Sequence, residues 1–347
     1  MVTEKASGKQ LRATGHHLVH RALEDLSHGD LVLVACSGGA DSLALAAMLA
    51  RYTTPLENSS SPVRRPQVRA GAVVVDHQMQ SGSAQVAARV AQQCSDLGLD
   101  PVEVVAVQVT GPGGPEAAAR AARYAALDEV ATRSGAAAVL LGHTLDDQAE
   151  GVLLGLARGS GAKSLRGMEV GSGRWRRPLL TQRRSFTEDY CRAAGLDFWE
   201  DPTNFLRGQD DPLRTQVRHR VLPMLQEVLG DRVIDALGRT ADLARRDEEA
   251  LAGWAAMALS RNPDLDCTQL ADLPLAVLTR VLRLAALSAG AAGGELSRLH
   301  LDDCARLVTD FHGQGPLQLP GGIKLSRQSG KLVFSPLQTP DGKEPKR

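Results

Sequence analysis

Over the first 160 residues, short runs of valine, leucine and alanine alternate with longer amphipathic or alanine-rich stretches, the pattern of strands separated by helices. Strands are expected at residues 31–35, 71–75, 102–107 and 137–141, and helices at 42–51, 83–97, 116–133 and 145–156. The strand runs are rich in Val or Leu and too short to be helices, so a parallel sheet is the economical reading. Residues 53–69, polar and proline-bearing, and 111–115 (GPGGP) break the pattern and are expected to be surface loops. From 158 to 220 arginine becomes frequent and Trp175, Phe186, Tyr190, Phe198, Trp199 and Phe205 gather. Within that stretch Ser185-Phe186-Thr187-Glu188 is spaced as a capping box opening a helix that Gly195 closes. Beyond Pro223, leucines and alanines keep helical spacing through Ala289, and residues 315–334, punctuated by Gly and Pro, read as a short hairpin. The expected fold is α/β: an N-terminal parallel-sheet domain over 1–214, a smaller, mainly helical domain over 215–335, and a disordered tail over 336–347.

Composition narrows the class. A length of 347 residues suits about two domains, and 43% hydrophobic with 23% charged residues excludes disorder for the bulk. Lys+Arg 40 balances Asp+Glu 40, so no global field draws a polyanion, and only the arginine-rich stretch offers a local patch. No apolar run approaches the ~20 residues that cross a bilayer, and the N-terminus is polar, which predicts a cytoplasmic protein without membrane attachment. Cys36, Cys94, Cys191, Cys267 and Cys304 are scattered and form no C-x-x-C pair, so reduced thiols filling the core are expected.

The chemistry begins at a strand running into Ser37-Gly38-Gly39-Ala40-Asp41-Ser42 and then a helix. The glycines let backbone approach a phosphate, the N–H groups at the helix start point at the anion, and the serines add hydroxyls. No G-K-[ST] follows, and Asp41 would repel phosphate unless it helps hold Mg²⁺, which favours nucleotidyl transfer with pyrophosphate leaving over γ-phosphate hydrolysis. Taken alone, S-G-G is as well explained by a turn that caps a helix. Asp76-His77 ends the second strand, at the sheet edge where α/β domains hold ligands, although an Asp there is equally a turn former. Glu116, Arg120 and Arg123 share one helical face, which by spacing alone is a solvated ion-pair face. After the fourth strand, Gly142-His143-Thr144-Leu145-Asp146-Asp147-Gln148-Ala149-Glu150 puts three carboxylates near the same edge, able to hold Mg²⁺ or an ammonium group or merely to favour the helix dipole. Arg158 follows in a Gly/Ser turn that could bring its charge to a phosphate.

The hexad 37–42 resembles the pyrophosphate loop of the N-type ATP pyrophosphatases. Residues 142–168 (GHTLDDQAEGVLLGLARGSGAKSLRGM) closely resemble the signature of the tRNA(Ile)-lysidine synthetase family. Trp199-Glu200-Asp201-Pro202-Thr203-Asn204 and residues 214–223 (RTQVRHRVLP) look like that family's later motifs, and Glu116, Arg120, Arg123 and Tyr124 match another of its blocks. The chain departs from the family in having Thr144 where a second histidine is frequent and Gln80 where an arginine is frequent. It is also too short after Pro223 for the two C-terminal domains of the long form.

The resemblance implies a Rossmann-like ATPase domain and a ligase that uses ATP and Mg²⁺. The wobble cytidine of a CAU-anticodon tRNA(Ile) would be adenylated, and L-lysine would then displace AMP. It implies catalytic roles for Asp41, His143, Asp146, Asp147 and Glu150, with Asp41 as the metal ligand. Nucleotide contacts would come from Ser37, Gly38, Gly39, Ala40, Asp41, Ser42, Asp76, His77 and Gly142. Substrate contacts would come from Arg120, Arg123, Arg158, Glu200, Asn204, Arg214, Arg218 and His219, with Trp199 a candidate stacking partner and a homodimer the expected assembly. The rival reading is a related tRNA 2-thiolase, which usually needs sulfur-handling cysteines that this chain lacks. Two further rivals are a nucleotide-binding module without catalysis and a small-molecule amidotransferase.

Overall fold

The computed structural model describes residues 7–54, 67–78, 82–110, 114–159, 162–200, 208 and 211–337. They divide into two compact units, the first formed by Met1–Arg158 with Gly167–Ala241 and the second by Gly159–Arg166 with Asp242–Arg347.

The first unit is a sheet covered on both faces. Its strands are β1 (Leu31–Ala35), β2 (Arg69–Asp76), β3 (Val102–Ala106), β4 (Ala138–Leu141), β5 (Gly171–Ser172) and β6 (Trp175–Arg176), and its helices are α1 (Gly8–Leu23), α2 (Ala40–Thr53), α3 (Ser83–Asp96), α4 (Pro115–Ser134), α5 (Leu145–Ala157) and α7 (Arg184–Ala194). Short α6 (Ala162–Leu165) lies within the stretch assigned to the second unit. The strand order is β3-β2-β1-β4-β6-β5, parallel except for the β5–β6 pair. Alternation along β1 explains the two-sided core: Val32 and Val34 join the cluster with α1, α2 and α3, while Leu31 and Leu33 join the one with Leu127 and Val130 of α4. The order reverses between β1 and β4, and at such a switch point the helices leave on opposite faces and open a crevice at the strands' carboxyl ends.

Four short elements close this unit: α8 (Leu213–Gln216), a π-helical turn (Val217–Val221), α9 (Leu222–Leu229) and the start of α10 (Val233–Arg261). Ala149 of α5 packs with Val217, Leu222 and Ile234 in a small core of its own. That packing is why the division expected at 214/215 falls inside the first compact unit, which runs on to Ala241. The capping box expected at Ser185 is not formed. The helix starts at Arg184 because the Asp146 carboxylate accepts its backbone N–H at 2.8 Å, a cap supplied from α5, and Ser185 lies within the first turn. Gly195 closes the helix in the left-handed conformation, as expected.

The second unit packs the later part of α10 with α11 (Cys267–Ala271), α12 (Leu275–Ser288) and α13 (Arg298–Thr309) around Val277, Leu278, Val281 and Leu282. The terminal hairpin supplies two strands of a three-stranded antiparallel sheet, β7 (Leu317–Leu319), β8 (Ile323–Gln328) and β9 (Lys331–Pro336). Pro336, placed in the tail by the sequence, ends β9, while the rest of that tail from 338 and most of the 53–69 and 111–115 loops lie outside the described residues. All five cysteines are buried and free. No helix among the described residues is long and apolar enough to cross a membrane.

Candidate active site

The loop between β1 and α2 is shaped by its small residues. Gly38 has a φ of 83° and an added Cβ would collide with Val90, so both conformation and space call for glycine. Gly142, immediately after β4, lies so close to the loop that an added Cβ would sit 3.0 Å from the Ser42 nitrogen. Buried Ser42 holds the turn from within: its Oγ accepts from the Ser37 N–H at 3.0 Å and donates to the Gly39 carbonyl at 3.0 Å. Ser37, by contrast, is exposed, with its Oγ 3.2 Å from that of Ser42. Gly39 is the N-cap of α2 and Ala40 its first residue, so the helix's free N–H groups lie at this turn. The Trp199 N–H donates to the Gly38 carbonyl at 2.9 Å, tying the chain after α7 to the loop.

At the loop's far end Asp41 meets α7. Arg184 Nε donates to Asp41 Oδ2 at 3.0 Å, and the buried Thr187 hydroxyl donates to Oδ1. Burial nevertheless keeps the Asp41 carboxyl above its ordinary value, with Arg184 and Thr187 pulling against it.

The same arginine continues into α5. Its Nη2 lies 3.2 Å from Asp147 Oδ1 and its Nη1 4.0 Å from Glu150 Oε1. Arg214 of α8 and Arg218 of the π-helical turn complete the group. Arg214 reaches Asp147 Oδ1 at 3.3 Å and Glu150 Oε2 at 2.8 Å, while Arg218 reaches Asp147 Oδ1 at 3.2 Å and Glu150 Oε1 at 2.6 Å. The other oxygen of Asp147 accepts from the backbone N–H and hydroxyl of Thr144, the N-cap of α5. Burial disfavours the Asp147 charge, but the three arginines outweigh it and bring the carboxyl down to about 2. Burial also opposes the charge of Arg184, and Asp147, Asp41 and Glu150 together raise its pKa in spite of it.

Of the three carboxylates that the sequence grouped on α5, the structure joins Asp147 and Glu150 to Asp41 through Arg184. Asp146 faces elsewhere, capping α7 and lying 3.4 Å from Arg183 Nε. His143, next to α5, is driven down to about 4 by burial, with Asp147 opposing and Arg177 assisting, and its buried Nδ1 has no hydrogen-bond partner among the described residues. Asp76 is buried and accepts the Gln78 N–H at 2.9 Å, the turn-forming role that the sequence left open. His77 accepts from Arg123 Nε at 3.4 Å, and burial followed by that arginine lowers its pKa. Arg120 lies over the Tyr124 ring, 5.0 Å from its centroid. Arg158 is the exposed C-cap of α5, Glu200 is exposed, and His219 is half-buried in the π-helical turn. Asn204 and Gln80 lie outside the described residues.

Sequence reasoning missed Arg184, Thr187 and Arg177. The last is buried, donating to the Glu169 carbonyl at 2.8 Å and lying 3.4 Å from the Tyr124 hydroxyl. The arginine-rich composition around 176–184 was the available signal, but nothing local says which guanidinium reaches inward.

A glycine-shaped anion turn at the switch point of a parallel sheet, with an acid at the helix start, defines an ATP-using enzyme of the PP-loop class. Residues 13–225 match the family model described as a PP-loop domain, and residues 265–333 match that of the TilS substrate binding domain. The chain is 52% identical over 313 residues to the tRNA(Ile)-lysidine synthase of Streptomyces coelicolor, covering 88% of this chain and 85% of that one. It is 49% identical to the enzyme of the same name from Thermobifida fusca, covering 91% and 95%, and 44% identical to that from Mycobacterium tuberculosis, covering 94% and 96%. The chain belongs to the tRNA(Ile)-lysidine synthase family. The U34-tRNA thiolase NcsA from Methanococcus maripaludis superposes with a TM-score of 0.56 at 16% identity, covering 69% of this chain and 80% of that one, a likeness of fold alone.

Proposed function

We propose that the described cluster divides the lysidine-forming reaction between the loop and α5. In the first step the 2-oxygen of the wobble cytidine of tRNA(Ile) attacks the α-phosphorus of ATP. An O–P bond forms, the bond to the β-phosphate breaks and pyrophosphate leaves. The N–H groups at 37–42 are assigned to the leaving phosphates, because preorganised donors stabilise charge without reorganising. The observation that carries this assignment is Asp41, a carboxylate at the phosphate turn that is tied to the acidic face of α5 by one guanidinium.

Mg²⁺ fits this place through Asp41. Burial leaves that carboxylate short of compensating charge even beside Arg184, and Mg²⁺ is commonly held by one or two carboxylates plus substrate phosphates. No group of three or more His, Cys, Asp or Glu side chains among the described residues offers a self-contained metal cage. When bound, the ion would supply charge for the developing pyrophosphate.

In the second step the ε-amine of L-lysine, having lost a proton to solvent, attacks C2. A C–N bond forms, the C2–O bond breaks and AMP departs. We assign Asp147 and Glu150 to holding the incoming ammonium. The nitrogen must lose another proton as the C–N bond forms. His143, uncharged at neutral pH and with a buried Nδ1 that has no hydrogen-bond partner among the described residues, is assigned that proton. Arg120, Arg123, Arg158 and His219, with the helical second unit, are assigned to tRNA. Pyrophosphate release and lysine incorporation should require a CAU-anticodon tRNA(Ile) transcript with C at the wobble position. Equal release with U there, or without lysine dependence of product formation, would overturn the reading.

A further inference from the structure

The α5 carboxylates are covered by the guanidiniums that neutralise them. The side chains of Asp147 and Glu150 are 10% and 0% exposed, whereas those of Arg184, Arg214 and Arg218 are 23%, 27% and 23% exposed. All three arginines converge on one oxygen of Asp147. Asp41, Asp147 and Glu150 against three guanidiniums leave no net charge. An ammonium group therefore finds neither an open carboxylate nor an attractive field until an arginine moves. The arginines, for their part, keep an exposed side, and Arg184 is shared with the carboxylate of the phosphate loop.

We propose that Arg184, with Arg214 and Arg218, caps the α5 pair against the amine until the phosphates of a nucleoside triphosphate draw guanidinium charge off it, so that nucleotide binding opens the lysine subsite. This inference rests on the assignment of Asp147 and Glu150 to the ammonium. A guanidinium exchanges one bidentate oxyanion partner for another at little loss of hydrogen bonding, because its planar fork suits carboxylate and phosphate alike. Arg184 is a positioning residue in this scheme, acting through the carboxylates it occupies. Linkage makes the effect reciprocal: whatever factor the nucleotide adds to lysine affinity, lysine adds to nucleotide affinity. Nucleotide binding is thereby placed before amine entry.

The test is equilibrium dialysis of radiolabelled L-lysine against the full chain, with and without saturating α,β-methylene-ATP and Mg²⁺, and without tRNA. Unmodified protein should bind lysine at least about tenfold more tightly with the analogue, a coupling of about 1.4 kcal/mol. Arg184→Ala should bind lysine more tightly than the unmodified protein in the absence of nucleotide, and should respond to the analogue by less than about threefold. Arg184→Lys, which restores the charge, should weaken nucleotide-free binding again. A gain of affinity on losing an arginine is not something a purely structural residue produces. Nε-Acetyl-lysine, lacking the ammonium, should show no coupling.

Equal lysine affinity with and without the analogue in unmodified protein, or no gain in Arg184→Ala, overturns the proposal. If Arg184→Ala does not fold, the reciprocal measurement decides: analogue affinity in unmodified protein must rise with lysine by the same factor, and no rise overturns it. The underlying assignment fails separately, if Glu150→Gln and Asp147→Asn leave lysine affinity unchanged in the presence of the analogue.

Discussion

The two halves of the candidate site are made of different material. The loop from Ser37 to Ser42 works with backbone amides and hydroxyls, and its shape rests on Gly38, Gly142 and the internal bonds of Ser42. The α5 half works with full charges, three arginines on two carboxylates, drawn from positions as far apart in sequence as 147 and 218. A backbone cradle is rigid and ready for its anion before the ligand arrives, which suits stabilising a leaving group. A charge cluster is satisfied by its own members and must exchange partners to bind anything, which suits a step that has to wait. Arg184 belongs to both halves.

The comparison is tested most severely at Asp41, the one carboxylate of the loop. Asp41→Asn keeps the shape and removes the charge, and should reduce tRNA-dependent pyrophosphate release by about 10²–10³-fold. Release within a factor of about three of the unmodified enzyme would remove Asp41 from the chemistry. On the α5 side the larger effect should be on stability. Glu150→Gln leaves Arg214 and Arg218 with Asp147 as their remaining carboxylate and should lower the unfolding free energy by about 2–3 kcal/mol in urea titration, less than the roughly 3–5 kcal/mol of a fully buried pair because the arginines are partly solvated. Ser37→Ala, on the exposed face of the loop, should change it by less than about 0.5 kcal/mol. If the two substitutions cost the same, the contrast between the halves is wrong.

The same contrast explains what could be read from the chain alone. The strands, the phosphate turn and the helix carrying Asp146, Asp147 and Glu150 depend on neighbours within a few residues, so apolar runs and the spacing of Gly38, Gly39 and Asp41 were sufficient to place them. Arg184 could not be found in this way. Its partners are 37 and 143 residues distant, and its neighbour Arg183, of the same residue type, turns to Asp146 and Asp235 instead. The cap of α7 was misplaced for the same reason, since it comes from Asp146 rather than from a serine nearby. Sorting the α5 carboxylates into two that join Asp41 and one that caps a helix likewise required the fold.

A third test uses acid. The pKa of His143 is lowered to about 4 from 6.5, so the folded state binds fewer protons than the unfolded chain between those values. Its contribution to stability is present above pH 6.5 and is lost as the pH falls to about 4. Asp147, at about 2 against 3.8, loses its own contribution in the next window down. Asp41 has the opposite sign, because its raised pKa makes the folded loop the better proton acceptor. Unfolding free energy should therefore fall by about 1–2 kcal/mol between pH 6.5 and 4.5, and His143→Gln should flatten most of that slope. An unchanged slope in the variant would place the titrating group elsewhere.

The smallest loss of activity should come from Thr187, which meets the loop's carboxylate through a neutral group. Its side chain is buried and has one hydroxyl hydrogen but two acceptors in reach, the Asp41 carboxylate and the Arg184 carbonyl at 2.7 Å. The charged acceptor gives the stronger bond. Thr187→Val keeps the volume and removes the hydrogen, leaving Asp41 Oδ1 without this donor while Arg184 still holds Oδ2. The Arg184 carbonyl, within helix α7, loses nothing the helix cannot replace. One hydrogen bond to a carboxylate that keeps its ionic partner amounts to about 1–1.5 kcal/mol, so pyrophosphate release should fall by about five- to tenfold, with Thr187→Ser close to the unmodified enzyme. A loss as large as that of Asp41→Asn would mean that the orientation of Asp41, rather than its charge, controls the first step, and that the hydroxyl rather than Arg184 sets it.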